Sequence, residues 1–162
     1  MAQRVFSQTF GVVGAILEKD GKILLIREAD PGLDQGKWSH PAGWIDIGEN
    51  PIDAAKREVK EESGFDFEPT ALLGIYSLVR KDKETQWDRG IPHAIKLLFV
   101  GTISDQQSGL ASDSAETKWF TLEEIYAMDG KTLRDLDIKQ AVKDYFAGKR
   151  YPLDILRHTI SE

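Results

Sequence analysis

Hydrophobic positions along the chain fall into short runs that predict a mixture of strands and helices. Two apolar, β-branched runs at 10–17 and 22–27 flank the dipeptide Asp20-Gly21, which is typical of the tight turn in a β-hairpin. Further runs rich in β-branched and aromatic residues also predict strands, and polar loops separate them. These later strands are predicted at 71–79, 93–103 and 116–120, with polar loops at 28–38, 80–90 and 105–114.

Helix-capping residues predict where the longest helix begins and ends. Asn50 is a good N-cap, Pro51 suits the first helical position, and Gly64 is a natural left-handed terminator. The helix is therefore predicted to end one residue before that glycine. A capping box at 121–124 predicts a short second helix, and a third helix is predicted at 136–146.

The composition is that of a soluble globular protein and narrows the possible functions. Of the 162 residues, 41% are hydrophobic and 30% are charged, and there is no cysteine for a disulfide or a thiolate metal site. No apolar run is long enough to span a bilayer, and the first residues lack a secretory signal, so a cytoplasmic location without membrane binding is predicted. The formal net charge of −6 argues against binding to a nucleic acid polymer. We predict a single domain spanning residues 1–162.

The helix after Asn50 carries the candidate chemistry. Glu58, Glu61 and Glu62 fall within about 100° of arc, because positions three and four residues apart are neighbours on a helix surface. Their mutual repulsion would be relieved by a hard divalent cation, which prefers oxygen ligands and leaves places for water and phosphate oxygens. Helices rich in charged residues are nevertheless commonly solvated, and the segment 56–62 alone favours that simpler interpretation.

A longer pattern around this helix favours the metal site. From Gly43 to Phe65 the sequence follows G-x5-E-x7-R-E-U-x-E-E-x-G-U, where U is a bulky apolar residue. This pattern is the signature of the nudix hydrolases, the MutT-like family, and the chain resembles that family at every defined position. The resemblance implies an α/β fold, an α/β/α sandwich with a mixed β-sheet, in which the nudix box at 43–65 forms a loop–helix–loop.

The resemblance also implies roles for the residues of the box. The helix carboxylates, with the carbonyl of Ala42, would bind Mg²⁺ or Mn²⁺, and the bound cations would polarise phosphoryl oxygens and activate a water molecule that attacks phosphorus. Glu49 and Arg57 are expected to pair and to hold the loop to the helix. The metal ligands and catalytic carboxylates implied are Glu58, Glu61 and Glu62, and the structural residues are Gly43, Glu49, Arg57 and Gly64.

Candidates outside the box have less support from the sequence. The resemblance implies that the general base is either a box glutamate or a carboxylate in a distal loop, here Glu116 or, as an alternative, Asp113. Arg27 could bind a phosphate, and Trp87 in a polar loop could stack on a base or another heterocycle. Trp38, placed at the end of a predicted loop, is expected to pack rather than to bind, and no chemistry is assigned to the histidines.

The expected reaction is metal-dependent hydrolysis of a phosphoanhydride bond in a small nucleoside di- or triphosphate, or in a pyrimidine or thiamin-type diphosphate. The segment 148–154, GKRYPLD, resembles the G-x-R-Y-P-L-E tail of the NudJ-like phosphatase branch of the family. Two alternatives stay open: hydrolysis of a nucleoside diphosphate linked to another group such as a sugar, and a non-catalytic nucleotide-sensing domain. The predicted partner is a small phosphorylated metabolite, and the chain is expected to be a monomer or a homodimer.

Overall fold

Two β-sheets lie at the centre of the computed structural model, which describes residues 9–29, 31–81, 93–105, 107–108 and 114–161. The first sheet contains β1 (Thr9–Ala15), β5 (Ala42–Trp44), β6 (Phe67–Val79) and β7 (His93–Ile103). Its strand order is β5-β1-β7-β6, in which β1 and β7 are parallel and the other neighbours are antiparallel. The parallel pair makes this sheet mixed, as the sequence predicts.

The second sheet is antiparallel and is organised around its longest central strand. It consists of β2 (Glu18–Lys19), β3 (Lys22–Glu28), β4 (Trp38–Ser39) and β8 (Ser114–Phe120), and β3 pairs with each of the others. The predicted hairpin joins β2 to β3. Asp20 and Gly21 form its turn with left-handed φ values of 52° and 77°, a conformation that glycine and aspartate tolerate better than most residues.

Local capping fixes the ends of the helices where the sequence predicts them. In α1 (Pro51–Ser63), the side chain of Asn50 accepts a hydrogen bond from the backbone N–H of Ile52 at 2.9 Å, and Gly64 ends the helix with φ 75°. Every helix within the described part of the chain is too short or too polar to cross a lipid bilayer. The other helices are α2 (Leu122–Ala127), which begins with the predicted capping box, and α3 (Asp137–Phe146).

Two hydrophobic clusters hold the helices on opposite sides of the strands. Leu72 of β6 and Phe99 of β7 belong to the cluster that packs against α1. Their neighbours in sequence, Leu73 and Leu98, belong to the cluster that packs against α2 and α3. Because successive side chains of a strand point to opposite faces, the strands separate two helical layers, which is the predicted α/β/α sandwich.

The sequence did not predict β4 and β5, two short strands that pair with strands distant in the sequence. β4 and β5 have two and three residues, too few to show alternation, and they form because they pair with β3 and β1. The expectation that Trp38 lies in a loop is therefore wrong: it lies in β4, and its ring packs edge-on against Phe120 with centroids 4.9 Å apart. β6 begins at Phe67, before its predicted start, because the chain continues to pair with β7 through an irregularity after Pro69.

Candidate active site

A cavity of about 450 Å³ opens beside α1 and β5. Its wall contains three kinds of surface: carboxylates from α1, an apolar edge, and buried charged side chains contributed by several separate elements. The apolar edge includes Phe10 and Trp44, whose ring centroids are 4.5 Å apart. The volume falls in the range of small-molecule sites, so the cavity is the candidate functional site.

All three predicted carboxylates of α1 line this cavity, and we call them the helix glutamates: Glu58, Glu61 and Glu62. They share one side of the helix, whereas Ala55 and Val59 are fully buried in the core. The exposed fraction of the side chain is 12% for Glu58 and 48% for Glu61, so the helix glutamates differ in their access to water. The structure thus brings together the group of carboxylates that the sequence singled out.

The carboxylate of Glu62 is held against the backbone of β5. One of its oxygens accepts a hydrogen bond from the backbone N–H of Ala42 at 2.7 Å. Burial raises the pKa of Glu62 to about 8, and the charges of Glu28 and Glu58 shift it in the same direction. A buried carboxylate with negative neighbours is stabilised in its ionised form when a cation binds beside it.

Glu58 packs against the backbone turn at Gly43. A Cβ atom at residue 43 would overlap with the carboxyl group of Glu58, so a larger residue would fit only if that carboxyl group moved. Burial raises the pKa of Glu58, although Arg57 donates a hydrogen bond to its carboxylate at 2.6 Å. The first glycine of the box therefore makes room for a carboxylate at the cavity wall.

Arg57 ties the loop before α1 to the helix. Its Nε and Nη2 atoms donate to the two carboxylate oxygens of Glu49, both at 2.9 Å, and Nη2 also donates to the carbonyl oxygen of Trp44 at 3.1 Å. Glu49 accepts a further hydrogen bond from the backbone N–H of Asp46 at 3.0 Å. The two-pronged hydrogen bonding with Arg57 holds the pKa of Glu49 below its usual value. The pair expected from the sequence is present, and it connects the loop that follows Gly43 to α1.

The predicted residues outside the box have different surroundings. Arg27 and Glu116 face each other on β3 and β8 and form an ion pair at 3.4 Å, with 47% and 49% of their side chains exposed. Neither residue lines the cavity, so the structure does not bring them to the helix glutamates. The guanidinium of Arg27 lies 5.9 Å from the ring centre of Trp38, and this tryptophan packs against the core. Trp87 and Asp113 lie outside the described residues.

Several charged residues of the cavity wall were not identified from the sequence. One of them, Lys96, interrupts an otherwise apolar stretch of β7, and this interruption was the one available indication. The others come from segments far apart in the chain, such as the pair in which Arg134 donates to Glu28 at 2.7 Å. Local patterns carry no information about such pairs. The residues missed are Glu28, Arg80, Lys96, Arg134 and Asp135.

The helix glutamates suit a hard divalent cation by their donor chemistry. They offer oxygen atoms only, and burial raises the pKa of both Glu58 and Glu62, so an added positive charge would relieve an existing conflict. Among the residues that the structure describes, no three His, Cys, Asp or Glu side chains already converge on one position. Arg57 donates hydrogen bonds to Glu58 and Glu61 instead, so ion binding would require these carboxylates to exchange contacts with Arg57 for contacts with the ion.

Comparisons with known proteins agree with this geometry. The family description "NUDIX domain" matches residues 7–142. An ADP-ribose pyrophosphatase from Methanocaldococcus jannaschii is 30% identical over 146 residues, which cover 90% of this chain and 78% of that protein. Phosphatase NudJ from Escherichia coli K12 is 27% identical over 144 residues, which cover 89% of this chain and 88% of that protein.

A solved structure is similar in its fold over nearly the whole chain. The NUDIX hydrolase from Nitrosomonas europaea is 33% identical and superposes with a TM-score of 0.77, covering 94% of this chain and 98% of that chain. The family match over residues 7–142 includes the box at 43–65 and every residue that lines the cavity beside it. We conclude that this chain belongs to the nudix hydrolase family.

Proposed function

We propose that this protein hydrolyses a phosphoanhydride bond in a small nucleoside di- or triphosphate, or in a related nucleoside or thiamin-type diphosphate, with Mg²⁺ or Mn²⁺. The observation that carries the proposal is the group of helix glutamates on the cavity wall, where Gly43 leaves room for Glu58 and burial raises the pKa of Glu62 to about 8. The names of two relatives, an ADP-ribose pyrophosphatase and a phosphatase, support the same class of reaction.

The residues that would hold the ion are the helix glutamates and the carbonyl oxygen of Ala42. Such an ion would polarise the phosphoryl oxygens and lower the pKa of the attacking water. The protein contributes the arrangement of the carboxylates around it. The N–H of Ala42 orients Glu62, and Arg57, anchored on Glu49, holds Glu58 at the edge of the cavity.

The identity of the general base stays a prediction. Glu116 is one candidate for this role, and its carboxylate forms an ion pair with Arg27 at 3.4 Å, so it would have to leave that pair to reach the cavity. A helix glutamate is the alternative, because all three helix glutamates already line the cavity.

The helix glutamates do not decide between substrates. They would hold the diphosphate and the ions, whereas substrates of this class differ in the groups attached on either side. A nucleoside diphosphate linked to a sugar is therefore an alternative to a simple nucleotide. A non-catalytic nucleotide sensor is a second class of function, and the intact set of box glutamates argues against it.

A metal titration against a substrate panel tests this proposal. ADP-ribose, UDP-glucose, ATP, ADP and thiamin diphosphate would be incubated with increasing Mg²⁺ or Mn²⁺, and release of phosphate, pyrophosphate and nucleoside monophosphate would be measured separately. We expect turnover of at least one compound, and we expect EDTA to abolish that turnover. Saturable binding of one compound without turnover of any would instead support the sensor.

A further inference from the structure

Part of the cavity wall carries charged side chains that the helix glutamates do not explain. They come from the end of β6, the middle of β7 and the segment before α3, so the fold gathers them from separate parts of the chain. We call this group the charged wall: Arg80, Lys96, Arg134 and Asp135. Its ion-pair partners among the described residues include Glu28, Asp34 and Asp137.

Lys96 and Asp135 lie at the centre of the charged wall and are held from both sides. The Nζ atom of Lys96 donates to Asp135 at 3.2 Å and to Asp137 at 3.0 Å. The second carboxylate oxygen of Asp135 accepts from Arg80, which also donates to Asp34 at 3.0 Å. Only 5% of the Lys96 side chain and 7% of the Asp135 side chain are exposed. A ligand entering the cavity would therefore meet a fixed array of polar atoms.

Stability does not account for this array. Replacing a buried ion pair by apolar residues of similar volume is often neutral or stabilising, because removing two charges from water offsets their attraction. Asp135 nevertheless stays ionised: burial opposes its charge, but Lys96 and Arg80 together hold its pKa below the usual value. Charged pairs maintained on the wall of a cavity indicate that polar atoms are needed there to contact a ligand.

The formal charges of this network cancel among the residues that the structure describes. Its ion pairs there connect four cations and four carboxylates, so a phosphate group would gain little net attraction from them. The network offers N–H donors and carboxylate acceptors side by side, which suits an uncharged group that both donates and accepts hydrogen bonds. The cations are Lys37, Arg80, Lys96 and Arg134, and the carboxylates are Glu28, Asp34, Asp135 and Asp137.

We propose that the charged wall binds the uncharged nucleoside or sugar group attached to the diphosphate, through its hydroxyl or amide atoms, and that Lys96 and Asp135 determine specificity. This rests on the proposed function, because the diphosphate is taken to lie at the helix glutamates of the same cavity. Phe10 and Trp44 add an apolar surface to that cavity on which a ring can pack. The enzyme then prefers diphosphates that carry a polar organic group over inorganic pyrophosphate.

Binding to the wild-type protein is the first test. Isothermal titration calorimetry, with Ca²⁺ in place of Mg²⁺ to limit turnover, would give Kd values for ADP-ribose, UDP-glucose and inorganic pyrophosphate. We expect at least one of the two nucleotides to bind about tenfold more tightly than pyrophosphate, roughly the gain from one hydrogen bond between a neutral group and a charged side chain. Equal or weaker binding of both nucleotides would overturn the proposal. Titration of AMP and of ribose 5-phosphate then shows whether the base or the sugar carries the preference.

Substitutions of Lys96 are the second test. Lys96→Met removes the central donor, and Lys96→Met/Asp137→Asn removes one charge of each sign, which keeps the network balanced and protects folding. We expect both to raise the Kd of the preferred nucleotide about tenfold, and we expect the balanced double variant to leave the Kd of pyrophosphate unchanged. The matched control is Lys56→Met. Lys56 donates to Glu68 at 2.8 Å, and neither residue lines the cavity.

The outcomes separate this proposal from a structural role and from the proposed function. A folded double variant, judged by its melting temperature, that binds the nucleotide like the wild type would show that the charged wall is only a structural tie. Failure of the proposed function would look different, because nucleotides would bind without being hydrolysed. In that case the loss of nucleotide binding in Lys96→Met would still be measured, and it would still support the charged wall as a binding surface.

Discussion

Carboxylates on two sides of the same cavity have pKa values shifted in opposite directions: Glu58 and Glu62 on α1, and Asp135 in the charged wall. Burial raises the pKa of Glu62 to about 8 and also raises that of Glu58. At the charged wall, burial acts on Asp135 in the same sense, but Lys96 and Arg80 hold its pKa below the usual value. Glu58, Glu62 and Asp135 are all largely shielded from water, so the difference comes from the cations around them.

The α1 side of the cavity is the side suited to an added cation. The charged wall contains its own counter-charges, whereas Glu58 depends on Arg57, which already binds Glu49 through two hydrogen bonds. Arg57 leaves the pKa of Glu58 raised in spite of its contact with that carboxylate. A network with equal numbers of cations and carboxylates is suited to an uncharged group, whereas a group with an excess of carboxylates is suited to a divalent ion.

The largest effect is expected from a substitution among the helix glutamates, whose negative charges are not matched by nearby cations. Glu62→Gln keeps the shape of the side chain and an oxygen that can accept from Ala42, but it removes the charge offered to the ion. We expect turnover to fall by about 100-fold or more, with an unchanged far-UV circular dichroism spectrum. Initial rates at saturating Mg²⁺ measure this effect.

A matched control shows whether that loss is specific. Glu123→Gln makes the same chemical change in the first turn of α2, away from the cavity, and should keep wild-type rates. Glu58→Gln should resemble Glu62→Gln, because both carboxylates line the cavity. Near-normal turnover in both cavity variants would remove the helix glutamates from the mechanism.

A smaller effect is expected from changing the space beside Glu58 without changing its charge. Gly43→Ala places a methyl group where the Glu58 carboxyl group lies, so the carboxylate must move or the turn must open. We expect turnover to fall by roughly tenfold to 100-fold, in line with displacement of a supporting residue at a metal site. Gly130→Ala is the control, since a Cβ atom there meets no neighbour within 4 Å. Equal rates in both variants would show that the close fit at Gly43 is unimportant.

Local sequence patterns were sufficient for the helix side of this comparison. The cap at Asn50, the glycine at the end of α1 and the spacing of its glutamates depend on residues within a few positions of each other. The same holds for the capping box of α2 and for the hairpin turn at Asp20-Gly21. In each case the interacting residues lie within a few positions of one another, so their spacing in the sequence determines how close they are in the fold.

The charged wall depends on contacts that spacing does not encode. Lys96 and Asp135 lie in different segments, and Glu28 pairs with Arg134, which is 106 residues further along the chain. The shortest strands were missed for the same reason, because β4 and β5 exist only through pairing with distant strands. Arg27 and Glu116 are the opposite case. Each is a candidate site residue when its own segment is considered by itself, but the register of β3 and β8 pairs the two side chains with each other.

The smallest expected effect is the dependence of stability on pH in the metal-free protein, and it separates the two sides of the cavity by sign. Folded Glu62 keeps its proton up to pH about 8, whereas a glutamate in the unfolded chain loses it near 4.5. Between these values the folded state binds more protons, so the Glu62 contribution to the free energy of unfolding decreases as pH rises, by at most about 1.4 kcal/mol per pH unit. Asp135 contributes with the opposite sign, since its lowered pKa adds stability that is lost only as pH falls below its unfolded value of 3.8. Urea unfolding from pH 5 to 8 with EDTA should therefore show a downward slope that Glu62→Gln reduces. Saturating Mg²⁺ in place of EDTA should flatten that slope at the alkaline end, because the ion displaces the proton from folded Glu62. A slope identical in wild type and Glu62→Gln would mean that the helix glutamates are not the unbalanced charge of this cavity.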